Sequence, residues 1–238
     1  MALVGLGSCR SHYEVTQVQR SRILVDSRYD VAHSEATQWL APYAARVDSL
    51  MSPVVGTAAC DMAAHRPESP LSNLLSDILV WGAQRMGEQP DLAVYNMGGI
   101  RAALSRGKVT IGDVLDVAPF ENKLCLLSLS GERLLELFGQ IASVGGEGVS
   151  HGVALVIDGR GRLVSALLHG KPVDPQATYR IATLDYLAQG NDRLEAFKAK
   201  TRVVSPQEET NNVRYIIMDY FRAKGTVEAH TEGRIVIK

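Results

Sequence analysis

Asn96-Met97-Gly98-Gly99-Ile100-Arg101 concentrates groups that can hold a ligand. It follows the apolar run Leu92–Tyr95, which reads as a strand, and leads into 101–104, which reads as a short helix. Two adjacent glycines let the backbone turn tightly and bring N–H groups toward a bound molecule, and a helix N-terminus there favours negative charge. Arg101 adds a planar donor fork suited to a phosphate or a ribose edge. The same residues also fit an ordinary glycine turn carrying a surface arginine. Two further loops carry one aromatic each, Val117-Ala118-Pro119-Phe120-Glu121-Asn122 and Thr183-Leu184-Asp185-Tyr186. Rings on separate loops can clamp a planar base, each stacking contact being worth about 1–3 kcal/mol; the alternative is two core rings that never meet.

Hydrolytic machinery is missing from the pattern. The chain has no His-Glu-x-x-His, no Gly-x-Ser-x-Gly, no Walker loop and no complete Gly-x-Gly-x-x-Gly. Its six histidines, His12, His33, His65, His151, His169 and His230, are scattered, with no pair spaced to share a helical face. A transition-metal cluster is therefore not expected, since such a site needs several convergent ligands. Gly190-Asn191-Asp192 differs from the Gly-Asn-His loop of binuclear metallophosphatases by an aspartate where a ligand histidine stands, and no Asp-x-His accompanies it. We assign no catalytic residue, no metal ligand and no cofactor to this chain.

Composition narrows the class. With 238 residues, 46% hydrophobic and 21% charged, the chain is long enough and apolar enough to bury a core, which excludes wholesale disorder. Its 25 basic and 26 acidic residues leave a formal charge of -1 and no basic stripe, so a nucleic-acid polymer is not an expected partner. No run of 18 apolar residues exists to span a bilayer as a helix. Cys9, Cys60 and Cys125 cannot all pair within one molecule, and no Cys-x-x-Cys spacing exists. Cys60 and Cys125 sit in apolar surroundings and read as buried, inert thiols.

The elements that must position the loops follow from periodicity. Tyr13, Val15 and Val18, then Ile23-Leu24-Val25, suggest two short strands. From Ser34, the spacing of Trp39, Leu40, Tyr43, Val47, Leu50 and Met51 predicts an amphipathic helix that Pro53 ends, with Pro42 tolerable only near its first turns. Val54 to Thr57 opens a denser domain, and Leu71, Leu74, Leu75, Ile78, Leu79 and Met86 mark a helix over 69–86 with Pro70 in its opening turn. Further strands are expected at Leu92–Tyr95, 124–129, Val153–Ile157, Leu163–Leu168 and 179–184. The third and fourth of these form a hairpin through Asp158-Gly159-Arg160-Gly161. Ser130 caps one helix, and another runs over 208–223. Helices interleaved with strands, some joined as hairpins, predict an α+β fold with a mixed β-sheet packed against helices.

Taken together the segments resemble the C-terminal domain of the 5'-nucleotidase family, enzymes of the periplasm and cell surface that hydrolyse nucleotides and UDP-sugars. The resemblance covers 53–238, and the 34–52 helix is similar to the linker helix that precedes this domain. Its motifs stand as Glu68-Ser69-Pro70-Leu71-Ser72-Asn73-Leu74-Leu75-Ser76-Asp77, Asn96 to Arg101, Pro119-Phe120-Glu121-Asn122, and Ala182-Thr183-Leu184-Asp185-Tyr186 through Gly190-Asn191-Asp192, in the family's order. The resemblance implies a base stacked between Phe120 and Tyr186, with tyrosine where phenylalanine is usual. It implies Asn96, Gly98 and Asn122 around the base or sugar, Arg101 on the sugar-phosphate side, and Asp192 on the ribose hydroxyls. Two departures touch phosphate affinity: His65 stands where an arginine is expected, with Arg66 as the substitute cation, and the usual Gly-Gly-Asp loop reads Gly190-Asn191-Asp192.

The family's metallophosphatase domain, with its two divalent metals, has no counterpart in residues 1–52. The resemblance thus implies a nucleoside or nucleotide ligand and a separately encoded metallophosphatase partner, without which the chain is expected to be inactive. The alternative is a lipid-anchored nucleoside-binding protein that needs no partner. For the anchor, Leu6-Gly7-Ser8-Cys9 in the 1–33 segment resembles a bacterial lipobox, making Cys9 the lipidation candidate and implying a periplasmic or envelope location. The apolar run is shorter than a signal's and lacks a basic residue ahead of it, so either the start is truncated or the match is accidental.

Overall fold

Apolar residues at helical and alternating spacing sort this chain into helices laid on sheets, and a computed structural model describes residues 13–24, 26–27 and 34–238. The order is α1 (Ser34–Met51), β1 (Val54–Ala58), α2 (Pro70–Ala83), β2 (Leu92–Tyr95), β3 (Gly107–Thr110), α3 (Ile111–Val117), β4 (Leu124–Ser130), α4 (Gly131–Ser143) and β5 (Gly148–Val149). Then come β6 (Val153–Ile157), β7 (Leu163–Leu168), β8 (Lys171–Pro172), β9 (Thr178–Leu184), α5 (Asp185–Ala188), β10 (Thr201–Val204), α6 (Val213–Lys224), β11 (Thr226–Val227) and β12 (Ile235–Ile237). The chain divides into two units, with the boundary after Ala44 inside α1.

α1 is helical as its spacing predicts, but Pro42 lies in its middle rather than near its start. A proline there has no N–H for the preceding turn, so one backbone bond of the ladder is missing at that point. The two strands expected within 13–25 are not formed by the described residues 13–24, and Val25 lies outside the described residues. Tyr13, Val15, Val18, Ile23 and Leu24 are all exposed, and a strand without a pairing partner has nothing to satisfy its backbone.

In the larger unit the strands form sheets ordered β11-β1-β3, β10-β4-β9-β2-β5 and β12-β6-β7-β8. The central sheet is mixed, as an α+β fold requires: β2 pairs parallel to β9, and β4 pairs antiparallel to it. α2 starts where Pro70 occupies the first turn and Ser69 caps it, the Ser69 N–H donating to Ser72 Oγ at 3.1 Å. It buries Leu71, Leu74, Leu75, Ile78 and Leu79 against β2, β5, β9 and α6. Gly82 permits the α6 contact, because a Cβ there would stand 2.7 Å from Ile216 Cγ2. Helical periodicity continues to Met86, but the last turn, Gln84–Met86, tightens to 3-10 geometry.

The Glu68 to Asp77 motif builds structure. Glu68 Oε1 accepts from Asn73 Nδ2 and from the Glu232 N–H, each at 2.7 Å. Asp77 pairs with Arg234 through both guanidinium nitrogens at 2.9 and 2.7 Å. Arg234 is buried and also donates to the Val149 carbonyl at 2.8 Å, locking the C-terminal segment onto α2 and β5. Cys125 is buried on β4, where burial pushes its thiol up to about 11, the inert behaviour its surroundings predict. Cys60 is only half-buried.

The register of the central sheet decides where the loops go. β2 and β9 are parallel, so both C-terminal ends leave at one edge, and β4 enters there with Leu124 opposite Leu184. Loops 96–101, 119–123 and 185–192 therefore converge, although up to 96 residues separate their members in sequence. The helix expected at 101–104 is not formed. A single 3-10 turn, Met97–Gly99, stands ahead of it, and Leu104 is drawn into a bridge with Met62. That backbone pairing competes successfully with a four-residue helix, which is shorter than one costly nucleus can support.

Candidate functional site

Asn96, Gly98, Phe120, Asn122, Tyr186 and Asp192 line one cavity of about 210 Å³ at this edge of the sheet. β2 delivers the first two residues, the entry to β4 the next two, and the exit from β9 the last two. Phe120 is 49% exposed and Tyr186 38%, so neither ring belongs to the core.

Asp192 is the polar centre. The Tyr186 hydroxyl donates to its Oδ1 at 2.8 Å, and Asn96 Nδ2 donates to its Oδ2 at 2.6 Å. The carboxylate in turn pushes the Tyr186 hydroxyl above its ordinary pKa, because the hydrogen bond favours the protonated phenol. Asp192 itself adopts φ +55°, in the left-handed region that aspartate tolerates better than most residues. Asn191 Nδ2 closes the turn on the Tyr186 carbonyl at 2.8 Å. The other end of the Asn96 amide, Oδ1, is buried without a partner, and a Cβ at Gly99 would stand 2.5 Å from it. Gly99 is thus required so that Asn96 can aim its nitrogen at Asp192.

Two further side chains hold the aromatic loops. Asp185 Oδ1 accepts the N–H groups of Lys123 at 3.0 Å and Tyr186 at 2.9 Å, joining the loop before β4 to the loop after β9. Arg214, in the first turn of α6, donates through Nη2 to the Pro119 carbonyl at 2.8 Å, directly beside Phe120. The Asn122 carbonyl accepts the Val213 N–H at 2.9 Å. Asp185 stands inside the Ala182-Thr183-Leu184-Asp185-Tyr186 motif, but nothing in its spacing reveals that it staples two loops.

The cationic residues behave differently. Arg101 is exposed and outside the cavity lining, its Nη1 3.4 Å from the Gly98 carbonyl. His65 is exposed and outside the lining as well. Arg66 is committed to an ion pair with Glu147, a residue that sequence reasoning missed. Glu147 is buried and also accepts the Met97 N–H, so it fastens the start of the turn that presents Gly98. Burial is the largest influence on its carboxyl and raises its pKa, opposed by the Met97 N–H and by Arg66. The available signal was a lone carboxylate inside Gly145-Gly146-Glu147-Gly148, where Gly145 and Gly146 have φ of +84° and +110°.

Cys9 lies outside the described residues. Among the described residues no group of three His, Cys, Asp or Glu side chains converges on a position for a metal ion. These residues therefore do not fit a binuclear metal centre. No described helix is long and apolar enough to cross a membrane.

Comparison with known proteins bears on the family and the fold. Residues 54–199 match the family model "5'-nucleotidase, C-terminal domain". The 5'-nucleotidase precursor from Thermus thermophilus superposes with a TM-score of 0.75 at 30% identity, covering 86% of this chain and 43% of that one. Protein UshA of Yersinia enterocolitica is 34% identical over 152 residues, 62% of this chain and 27% of that protein. Endonuclease YhcR of Bacillus subtilis is 30% identical over 213 residues, 85% of this chain and 16% of that protein. The chain thus spans less than half the length of each of these proteins. On the match across 54–199, the chain belongs to the 5'-nucleotidase C-terminal domain family.

Proposed function

We propose that the chain recognises the nucleoside part of a nucleotide for a 5'-nucleotidase-type hydrolase. The base stacks between Phe120 and Tyr186, Asn96, Gly98 and Asn122 lie along base and sugar, and Asp192 accepts sugar hydroxyls. One observation carries this reading: two half-exposed rings and a hydrogen-bonded carboxylate, brought from separate parts of the chain, line the same cavity. Apolar ring faces left open to water beside a few oriented polar groups are what a planar, hydroxyl-bearing ligand would cover. The volume lies below the roughly 300 Å³ at which pockets enclosing a whole drug-sized ligand begin. It suits a base with part of its sugar, leaving the phosphate outside near Arg101.

Phosphate release on this reading needs metal-dependent chemistry from a metallophosphatase domain or subunit, which we expect as a separate polypeptide. The match to the C-terminal domain of the 5'-nucleotidase family supports a catalytic domain acting with this one. We place the protein in the periplasm or cell envelope, consistent with its 24% identity to a cell wall protein of Listeria monocytogenes over 92% of this chain. Acylation of Cys9 would anchor it there; a lipid label incorporated by the wild type and lost in Cys9→Ser tests this.

One observation favours the stand-alone nucleoside-binding alternative. Of the expected cations, Arg66 is paired with Glu147, and neither His65 nor Arg101 lines the cavity. Titration calorimetry with a panel of nucleosides and their 5'-monophosphates separates the two. Monophosphates binding better, with phosphate release on adding a metallophosphatase encoded nearby and a divalent metal, support the hydrolase reading. Equal affinity and no such release support the nucleoside binder. In both cases Phe120→Ala should weaken binding at least tenfold while moving the melting temperature little, since half of that ring is already in water. No binding by any member of the panel overturns both.

A further inference from the structure

The cavity offers one carboxylate, and the protein already donates a hydrogen bond to each of its oxygens. Tyr186 holds Oδ1 at 2.8 Å and Asn96 holds Oδ2 at 2.6 Å. A carboxylate oxygen can accept more than one donor, but each bond in place withdraws charge and a direction of approach from the next. The two donors differ in what fixes them. Asn96 is buried, its amide held by the close approach of Gly99, whereas Tyr186 stands at the exposed mouth of the cavity. Its ring would keep its place without its hydroxyl, because the backbone of loop 185–192 is held separately by Asp185 and Asn191.

We infer that the Tyr186 hydroxyl is a specificity determinant: it occupies the Asp192 oxygen that a vicinal diol would otherwise use, so the cavity discriminates only weakly between ribonucleosides and deoxynucleosides. This rests on the nucleoside reading above. A ribose presents two adjacent O–H donors, and a carboxylate whose two oxygens each already accept a protein donor offers neither hydroxyl an unshared acceptor. With the phenol removed, Oδ1 is free to accept the second hydroxyl in a charge-assisted bond. A deoxynucleoside, which lacks that hydroxyl, gains nothing from the same change. The ring of the variant still stacks, so loss of the hydroxyl separates discrimination from affinity for the base.

The test compares wild type with Tyr186→Phe in calorimetric titrations against a ribonucleoside and its 2'-deoxy and 3'-deoxy analogues. Tyr186→Phe should bind the ribonucleoside more tightly and one of the deoxy analogues unchanged, widening that affinity ratio about five- to tenfold. The double variant Tyr186→Phe/Asp192→Asn should return the ratio to the wild-type value, which shows that the effect runs through the carboxylate. Ratios unchanged in Tyr186→Phe, with nucleosides still binding both proteins, overturn the inference and leave the nucleoside reading standing. A double variant that keeps the widened ratio also overturns it. If no nucleoside binds either protein, both the inference and the reading beneath it fall.

Discussion

Asp185 Oδ1 accepts the backbone N–H of Lys123 at 3.0 Å, while the Lys123 carbonyl accepts the Asp185 N–H at 2.9 Å. This reciprocal pair sits where β4 begins and β9 ends, and it sets the separation of the loops that carry Phe120 and Tyr186. Asp185→Ala leaves the Lys123 and Tyr186 N–H groups without their acceptor and should lower stability by about 1–3 kcal/mol in urea unfolding. Asp185→Asn keeps an oxygen in place and should restore most of that loss. Equal losses in the two variants would contradict the role of the accepting oxygen.

Glu147 makes stability depend on pH. Its carboxyl sits above the ordinary value of 4.5 in the folded protein because burial outweighs the Met97 N–H and Arg66. The folded state therefore holds this proton more tightly than the unfolded chain. The proton's stabilising contribution is complete below 4.5 and is lost as pH rises through the raised folded value. Glu147→Gln cannot titrate, so its stability relative to wild type should climb as pH is raised from about 4 toward about 7. Denaturant melts across that window check the slope, and a difference that falls with pH contradicts it.

Gly99 and Gly98 are neighbours with opposite tolerance. A Cβ at Gly99 meets Asn96 Oδ1 at 2.5 Å, whereas one at Gly98 meets nothing nearer than 3.9 Å. Gly99→Ala should destabilise the protein by about 1–3 kcal/mol and displace the amide that holds Asp192. Gly98→Ala should leave the melting temperature close to wild type while placing a methyl in the cavity and weakening nucleoside binding.

Arg234 tests whether the fold can be weakened without touching the site. Its guanidinium is buried, but Asp77 and Glu232 are 35% and 45% exposed, so water partly compensates them. Arg234→Met should therefore lower stability by about 2–3 kcal/mol, less than a fully enclosed pair would lose. Nucleoside affinity measured at a temperature where the variant stays folded should be unchanged.

The parts of this molecule legible from residue order are those whose cause is local. Leu71 to Leu79 repeat at helical spacing behind Pro70, and α2 forms there; Val153 to Leu168 alternate around Asp158-Gly159, and the β6–β7 hairpin forms there. The short pieces were illegible for the same reason. β5, β8, β10, β11 and β12 have too few residues to show a period, and each exists because a neighbouring strand offers it a ladder. The 101–104 helix failed where Met62 offered Leu104 a better partner.

Residue types alone determined which groups this chain can bring to a ligand: two rings, an aspartate, two asparagines and a glycine turn, and no cluster of hydrolytic residues in a recognised motif. Folding decided which of them meet. The parallel pairing of β2 with β9 and the antiparallel entry of β4 put six of the nine expected site residues around one cavity. It also paired Arg66 with the buried Glu147. Side-chain chemistry is carried by each residue separately, whereas proximity across nearly a hundred positions, and the neutralisation of one charge by another, are created only when the sheet closes and water is excluded.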